Sequence, residues 1–319
     1  MTRKDAFGLV RAALIAAVLF LAGGMVPIAG GLVMLLAPVP VLYYAVGLPG
    51  ALWRGGGAIV LAAALVGLAA GPSGALAYTV TFGLATAVMT YTLERRKPFE
   101  TVVLCTVGTM LVAGLLASLA LVGSPAELAT VLHRDLLAAL TRGEKFYHMV
   151  GMEASISSGT RDSIVNATIR LSPALAAISA GFAVLVNLGI FWRLSGKQQR
   201  VGYPLFGDLV RWAAPDWLIW TLLVSGFGLF VPVAPLSTIF LDCFACVAAV
   251  YFCQGLAIMA FYFKVLSMPP LARGLIYFVT IVQPVLAALV CAAGIFDLWI
   301  DFRRLKPPSQ EARNFGDFL

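Results

Sequence analysis

The sequence predicts an all-α fold, a polytopic transmembrane helical bundle of eight or nine spans, on three observations. The first is composition: 61% of the 319 residues are hydrophobic, 12% are charged, and the mean hydropathy is +0.95. A soluble domain is nearer half apolar and a quarter charged, so this composition cannot build a water-facing exterior. The second is run length, because apolar stretches recur at close to the roughly 20 residues a helix needs to cross a bilayer. The third is charge placement. Lys and Arg gather in short clusters between the apolar runs, the bias of cytoplasmic loops, so the net charge of +7 and pI near 9.3 speak to orientation. No basic stripe interleaved with aromatics argues for a nucleic-acid groove.

The first run, 10–26, follows "MTRKD" and imitates a secretory signal. Its hydrophobicity continues through "AGGMVPIAGGLVMLL" with no polar region or cleavage site, so it reads as an uncleaved first span. Runs 30–47, 55–71 and 74–93 follow, separated only by "GLPG" 47–50, "GGG" 55–57 and "GPSG" 71–74. Turns that short predict a series of tight antiparallel hairpins. Further runs at 101–122, 168–192, 213–232, 239–263 and 274–299 bring the count to nine. With nine spans, Arg3 and Lys4, "ERRKPFE" 94–100, "RLSGKQQR" 193–200 with Arg211, and Lys264 with Arg273 share one side. That side is expected to be the cytoplasm. The tail "DFRRLKPP" falls on the other side: either one span is miscounted, or the tail is too weakly biased to decide.

One long connection, 123–167, carries nearly balanced charge, which suits the outer face. Within it Leu128, Val131, Leu132, Leu136, Ala139 and Leu140 share a helical face, predicting an amphipathic helix on the membrane surface or capping the bundle. A second helix is expected around 144–156, and "SISSGTRDS" 155–163 reads as a flexible loop. The length of this connection makes it a candidate lid.

Chemistry-bearing motifs are scarce. Cys105, Cys243, Cys246, Cys253 and Cys291 all lie in apolar runs and read as small hydrophobes. His133 and His148 lack the spacing of a zinc site, and no nucleophile elbow, phosphate loop or dinucleotide fingerprint is present. No catalytic residue, metal or cofactor is expected, and the chain reads as a protein other than an enzyme.

What stands out is "APVPVLYYAVGLPGALW", Ala37–Trp53, with three prolines and no charge. In one reading Pro38 and Pro40 open a span and Pro49 follows its end. In the other the helix is broken within the membrane, where free backbone is tolerated only beside protein or a wet cavity. Tyr43 and Tyr44 would then wall that cavity. Polar residues inside spans face the bundle interior by default, and those here are Arg11, Asn187, Asp242, Gln254, Gln283 and Asp297. Asn187, Gln254 and Gln283 read either as interhelical glue or as solute contacts. Gln283 precedes Pro284, which frees a carbonyl one turn back. Gly67 and Gly71 are spaced for a close helix contact.

"YFCQGLAIMAFYFK" 251–264, "PDWLIW" 215–220 and "GIFDLWIDFRRLK" 294–306 resemble the YybS-like bacterial membrane proteins over essentially the whole chain, which implies that the membrane is a bacterial inner membrane. The first half, from the apolar first helix through "APVPVLYYAVGLPGALWRGGGAIVLAAALVGLAAGPSG" to "ERRK", is distantly similar to the S-components of energy-coupling-factor transporters. That resemblance implies a six-helix bundle, 1–200, that binds a small solute, with three added helices at 201–306 and a polar tail at 307–319. It also implies a separate ATPase with a coupling subunit, docked by small residues of the first span, here Ala12, Ala13, Ala16 and Ala17. The expected solute contacts are Tyr43, Tyr44, Asn187, Gln254 and Gln283. A related architecture serves MreD-like morphogenesis proteins, which implies instead a scaffold for envelope partners. In that reading Trp299 and Phe302 anchor at the interface while Asp297, Asp301, Arg303 and Arg304 face polar partners.

Overall fold

A computed structural model describes residues 3–25, 30–149, 157–195 and 209–304. Among them the chain is all-helical, with no strand. It divides into two compact units, 1–206 and 207–319, where the sequence placed the boundary at 200 and 201. The expected polar tail, 307–319, lies outside the described residues, as do 196–208 of the basic stretch between the units.

In the first unit, α1 (Arg3–Met25) packs against α2 (Gly30–Met34), α3 (Pro38–Ala45) and α4 (Ala51–Tyr78). A π-helical turn, Thr79–Gly83, joins α4 to α5 (Leu84–Glu94), and α6 (Phe99–Val122) follows. Residues 51–94 form one long apolar helical stretch by hydrogen-bond pattern, but the backbone leaves the helix at Gly71, at φ 77° and ψ 178°. A Cβ built on Gly67 would lie 3.2 Å from that of Ala75, and one on Gly83 3.1 Å from Ile59. Those pairs are symmetric about Gly71, so the stretch is an antiparallel hairpin of two crossings. Glycine is required at the apex because side chains resist that φ, and Pro72 starts the returning helix. Gly67 therefore closes its own hairpin, and Gly71 is a turn rather than half of a helix-packing motif.

The core of this unit is built from small residues. Ala13, Ala16 and Ala17 of α1 meet Ala58, Ala62 and Val66 of α4, with Phe20 set edge-on to Tyr78 at 5.4 Å between centroids. In lipid no hydrophobic drive pushes helices together, so close backbone approach through Ala and Gly is what holds them. A second cluster joins Leu42, Met89, Leu93 and Val102 to Val184, Leu188 and Phe191 of α9 (Ser172–Leu194).

The long connection forms α7 (Pro125–Met149) and α8 (Ser158–Arg170). The amphipathic helix is longer than predicted, and Ala139 lies on its exposed side. Ser157 accepts from the Thr160 amide, 3.3 Å, as an N-cap, so the serine-rich segment begins a helix from 158 where a loop was expected. The remainder of the expected second helix, 150–156, lies outside the described residues. Arg161 grips Glu144 through two bonds of 2.8 and 2.9 Å, tying α8 to α7.

The second unit holds a 3-10 turn at Leu209–Arg211, then α10 (Leu218–Gly228), α11 (Ala234–Val265), α12 (Pro270–Val282) and α13 (Pro284–Ile300). The expected ninth span, 274–299, is not one helix. Pro284 cannot continue the hydrogen-bond ladder of α12, and the axes turn by 102° at Gln283. Elsewhere the expected 30–47 and 213–232 are shorter helices; among the described residues five stretches are long and apolar enough to cross, one of them the 51–94 hairpin. Tight helix contact again rests on glycine: Gly255 of α11 abuts the Val290 backbone, and Gly294 of α13 abuts that of Tyr251.

Candidate functional site

Among the described residues, two groups of polar side chains stand out in the first unit. At one end, Arg54 contacts the Asp5 carboxylate at 2.8 Å, the Tyr44 hydroxyl donates to the Asp5 carbonyl at 2.9 Å, and the Arg54 guanidinium lies 5.8 Å from the Tyr44 ring centre. Gly8 makes room for that ring, since a Cβ there would come within 2.7 Å of it. Glu94 accepts from the Gly47 amide at 3.0 Å, so the α3–α4 turn and the end of α5 are tied together beside exposed Arg95, Arg96 and Lys97. The expected wall of a cavity is thus a polar rim at a bundle end. Tyr43 is 42% exposed on the outer surface, while Val41, Leu42, Ala45 and Val46 around it are completely buried.

Deeper in lies the explanation of the prolines. Between α2 and α3 the ladder narrows to 3-10 bonds, Leu36 to Val33, Ala37 to Met34 and Val39 to Leu36. The missing member of that series is residue 38 to Leu35, because Pro38 has no N–H. Asn187 of α9 supplies it, its Nδ2 donating to the Leu35 carbonyl at 2.7 Å and to its own Ala183 carbonyl at 2.7 Å. The helix is broken, and protein rather than a solute satisfies the break. Asn187 Oδ1 and the Tyr78 hydroxyl are buried without a partner among the described residues.

The second unit contains the strongest polar constellation. Gln254, 3% exposed, accepts from the Ala214 amide at 3.0 Å and donates to Asp297 Oδ2 at 3.1 Å. The same oxygen takes Arg303 Nη2 at 2.6 Å, and Asp297 Oδ1 takes the Phe302 amide at 3.0 Å. Arg303 Nη1 donates to the carbonyls of Val210 and Trp212 at 2.9 and 2.8 Å. Every oxygen of the carboxylate is thereby engaged, and both charges are sealed from solvent, with side-chain exposures of 5% for Asp297 and 0% for Arg303. Asp301, at φ 47°, ends α13 and turns the chain back so that Arg303 can reach its partner six residues upstream. Asp297 and Arg303 therefore face each other inside the unit, not outside partners. The sequence flagged Asp297 and Gln254 as intramembrane polar residues but turned Asp297 and Arg303 toward outside partners, because their pairing depends on that turn. The one available signal was a basic residue just beyond an intramembrane acid.

Gln283 stands apart at the elbow of α12 and α13. It is exposed and borders an open, largely apolar concavity of about 520 Å³ with Phe278, Val279, Val282, Val285 and Leu286. Pro284 leaves no amide to return to the Thr280 carbonyl there. Of the five expected solute contacts, Tyr43, Tyr44 and Asn187 belong to the first unit and Gln254 and Gln283 to the second. The four alanines expected to dock a coupling subunit are turned inward: Ala12 is 4%, Ala13 and Ala16 are 0%, and Ala17 is 2% exposed. That face is occupied by α4 and offers no free docking surface.

Long apolar helices, glycine-mediated contacts and internally satisfied polar groups define a helical integral membrane protein. Residues 14–298 match the family described as predicted membrane protein (DUF2232), and the chain belongs to that family. No curated protein and no solved structure matches it.

Proposed function

We propose that this chain is a non-catalytic scaffold of the bacterial inner membrane, with a cytoplasmic N-terminus, that holds envelope or morphogenesis partners through its outer surfaces. One observation supports the reading above others. Polar groups suited to gripping a solute are bonded within the chain: Tyr44 to Asp5, Asn187 to Leu35, and Gln254 to Ala214 and Asp297. A surface open to partners is the basic rim Arg95, Arg96 and Lys97, all exposed. A rim of this kind suits acidic segments of a cytoplasmic or membrane partner.

The test is purification from native membranes with native mass spectrometry, comparing the parent chain with the charge-reversed variant R95E/R96E/K97E. A polypeptide partner at fixed stoichiometry, lost on charge reversal, is expected. A stoichiometric small molecule retained by both forms, with no polypeptide, refutes the scaffold.

A second reading, a solute-binding subunit of the S-component kind working with a separate ATPase, is favoured by the sealed Tyr78 hydroxyl and Asn187 Oδ1. A small polar solute could pair with either. A ligand whose affinity falls with Tyr78→Phe would select it.

A further inference from the structure

The paired helices α12 and α13 begin and end at the same end of α11. Only four residues separate Val265, the last residue of α11, from the start of α12 at Pro270, and the Tyr277 ring meets Phe263 edge-on at 5.2 Å. After α13 the chain is back beside the same stretch, where the Tyr262 hydroxyl donates to the Phe302 carbonyl at 3.0 Å. Between those points α13 packs deeper, with Gly294 against Gly255. Gly255 lies ten residues before the end of α11, about 15 Å into the helix at 1.5 Å per residue.

A broken span would deliver residue 302 to the opposite end of α11. That helix has 32 residues, a length of about 48 Å, so a reach of one tyrosine side chain could not close the gap. Charge agrees with the return. Among the described residues of this unit, every Lys and Arg, namely Arg211, Lys264, Arg273, Arg303 and Arg304, belongs to the end where α11 finishes. The stretch 229–241 at the other end has none.

We propose that α12 and α13 form a re-entrant hairpin: the chain dips into the bilayer after α11, turns at Gln283, and leaves on the side it entered. This removes the last of the nine predicted crossings and puts Arg303 and Arg304 on the side of Lys264 and Arg273, as charge bias requires. It also places a carboxamide and a proline-freed carbonyl at the apex of an intramembrane loop, a backbone arrangement tolerated only where protein or a wet cavity surrounds it.

The test is sidedness in the full-length protein. Leu266→Cys, Val233→Cys and Arg304→Cys are made singly in a chain whose five native cysteines are alanine, and each is probed with a membrane-impermeant maleimide in intact cells and in everted vesicles. Short epitope tags inserted at the same three positions of the native-cysteine chain give a second measurement independent of cysteine replacement. Positions 266 and 304 are expected to react from one side and 233 from the other. Reaction of 266 and 304 from opposite sides would overturn the hairpin.

Discussion

Removing the Asp297 carboxylate isolates a cation in the interior of the second unit. Arg303 has no exposed side-chain surface, and its remaining bonds go to the neutral carbonyls of Val210 and Trp212. Breaking a buried ion pair by deleting one partner typically costs about 3 to 5 kcal/mol, chiefly the penalty of the unpaired charge. Asp297→Ala is therefore expected to lose that much. It also strands the Phe302 amide and the Gln254 carboxamide. Removing both charges should be milder. In the double variant Asp297→Leu with Arg303→Met, the Phe302 amide and Gln254 carboxamide are stranded as in Asp297→Ala, and the Val210 and Trp212 carbonyls lose their donor, but no buried charge is left unpaired. Because replacing a whole buried ion pair by apolar side chains is often neutral or stabilising while an uncompensated buried charge is not, the double variant is expected to be more stable than Asp297→Ala alone, a strongly non-additive cycle. The assay is SDS-driven unfolding in mixed micelles, followed by tryptophan fluorescence, since Trp212 packs in the cluster beside the site. A loss for Asp297→Ala below about 1 kcal/mol, the range of an exposed pair, would refute the claim that this charge is sealed.

Three further outcomes follow from the geometry. Asn187→Leu should destabilise by about 1 to 3 kcal/mol by orphaning the Leu35 carbonyl, and the loss should shrink in a Pro38→Ala background, where residue 38 regains an amide for that carbonyl; the same unfolding assay reads both. Gly294→Leu should cost more than Gly294→Ala, because even a Cβ collides with the Tyr251 backbone and a larger side chain must part α11 from α13; loss of a disulfide engineered across that contact reports the separation. Tyr44→Phe should cost about 0.5 to 1.5 kcal/mol through its one hydrogen bond to Asp5 while leaving the fold intact by circular dichroism.

What the sequence determined by itself is the membrane character, the helical class and the hairpin turn at "GPSG". In a bilayer the cost of each residue is set mainly by that residue's own polarity, so runs of about 20 apolar positions and clusters of basic ones can be read without knowing what packs where. A glycine and a proline at a turn act through their own backbones, and Gly71 and Pro72 were legible for that reason. Tertiary structure alone decided the partners. Asn187 completes a ladder 152 residues away, Gln254 meets an acid 43 residues on, and Arg303 grips a carbonyl 93 residues back. Whether an alanine face is free or covered, whether a proline break is wet or filled by an asparagine, and whether a final apolar run crosses or returns all depend on which helix lies alongside. That is a property of pairs of distant segments, and no local pattern of residues encodes it.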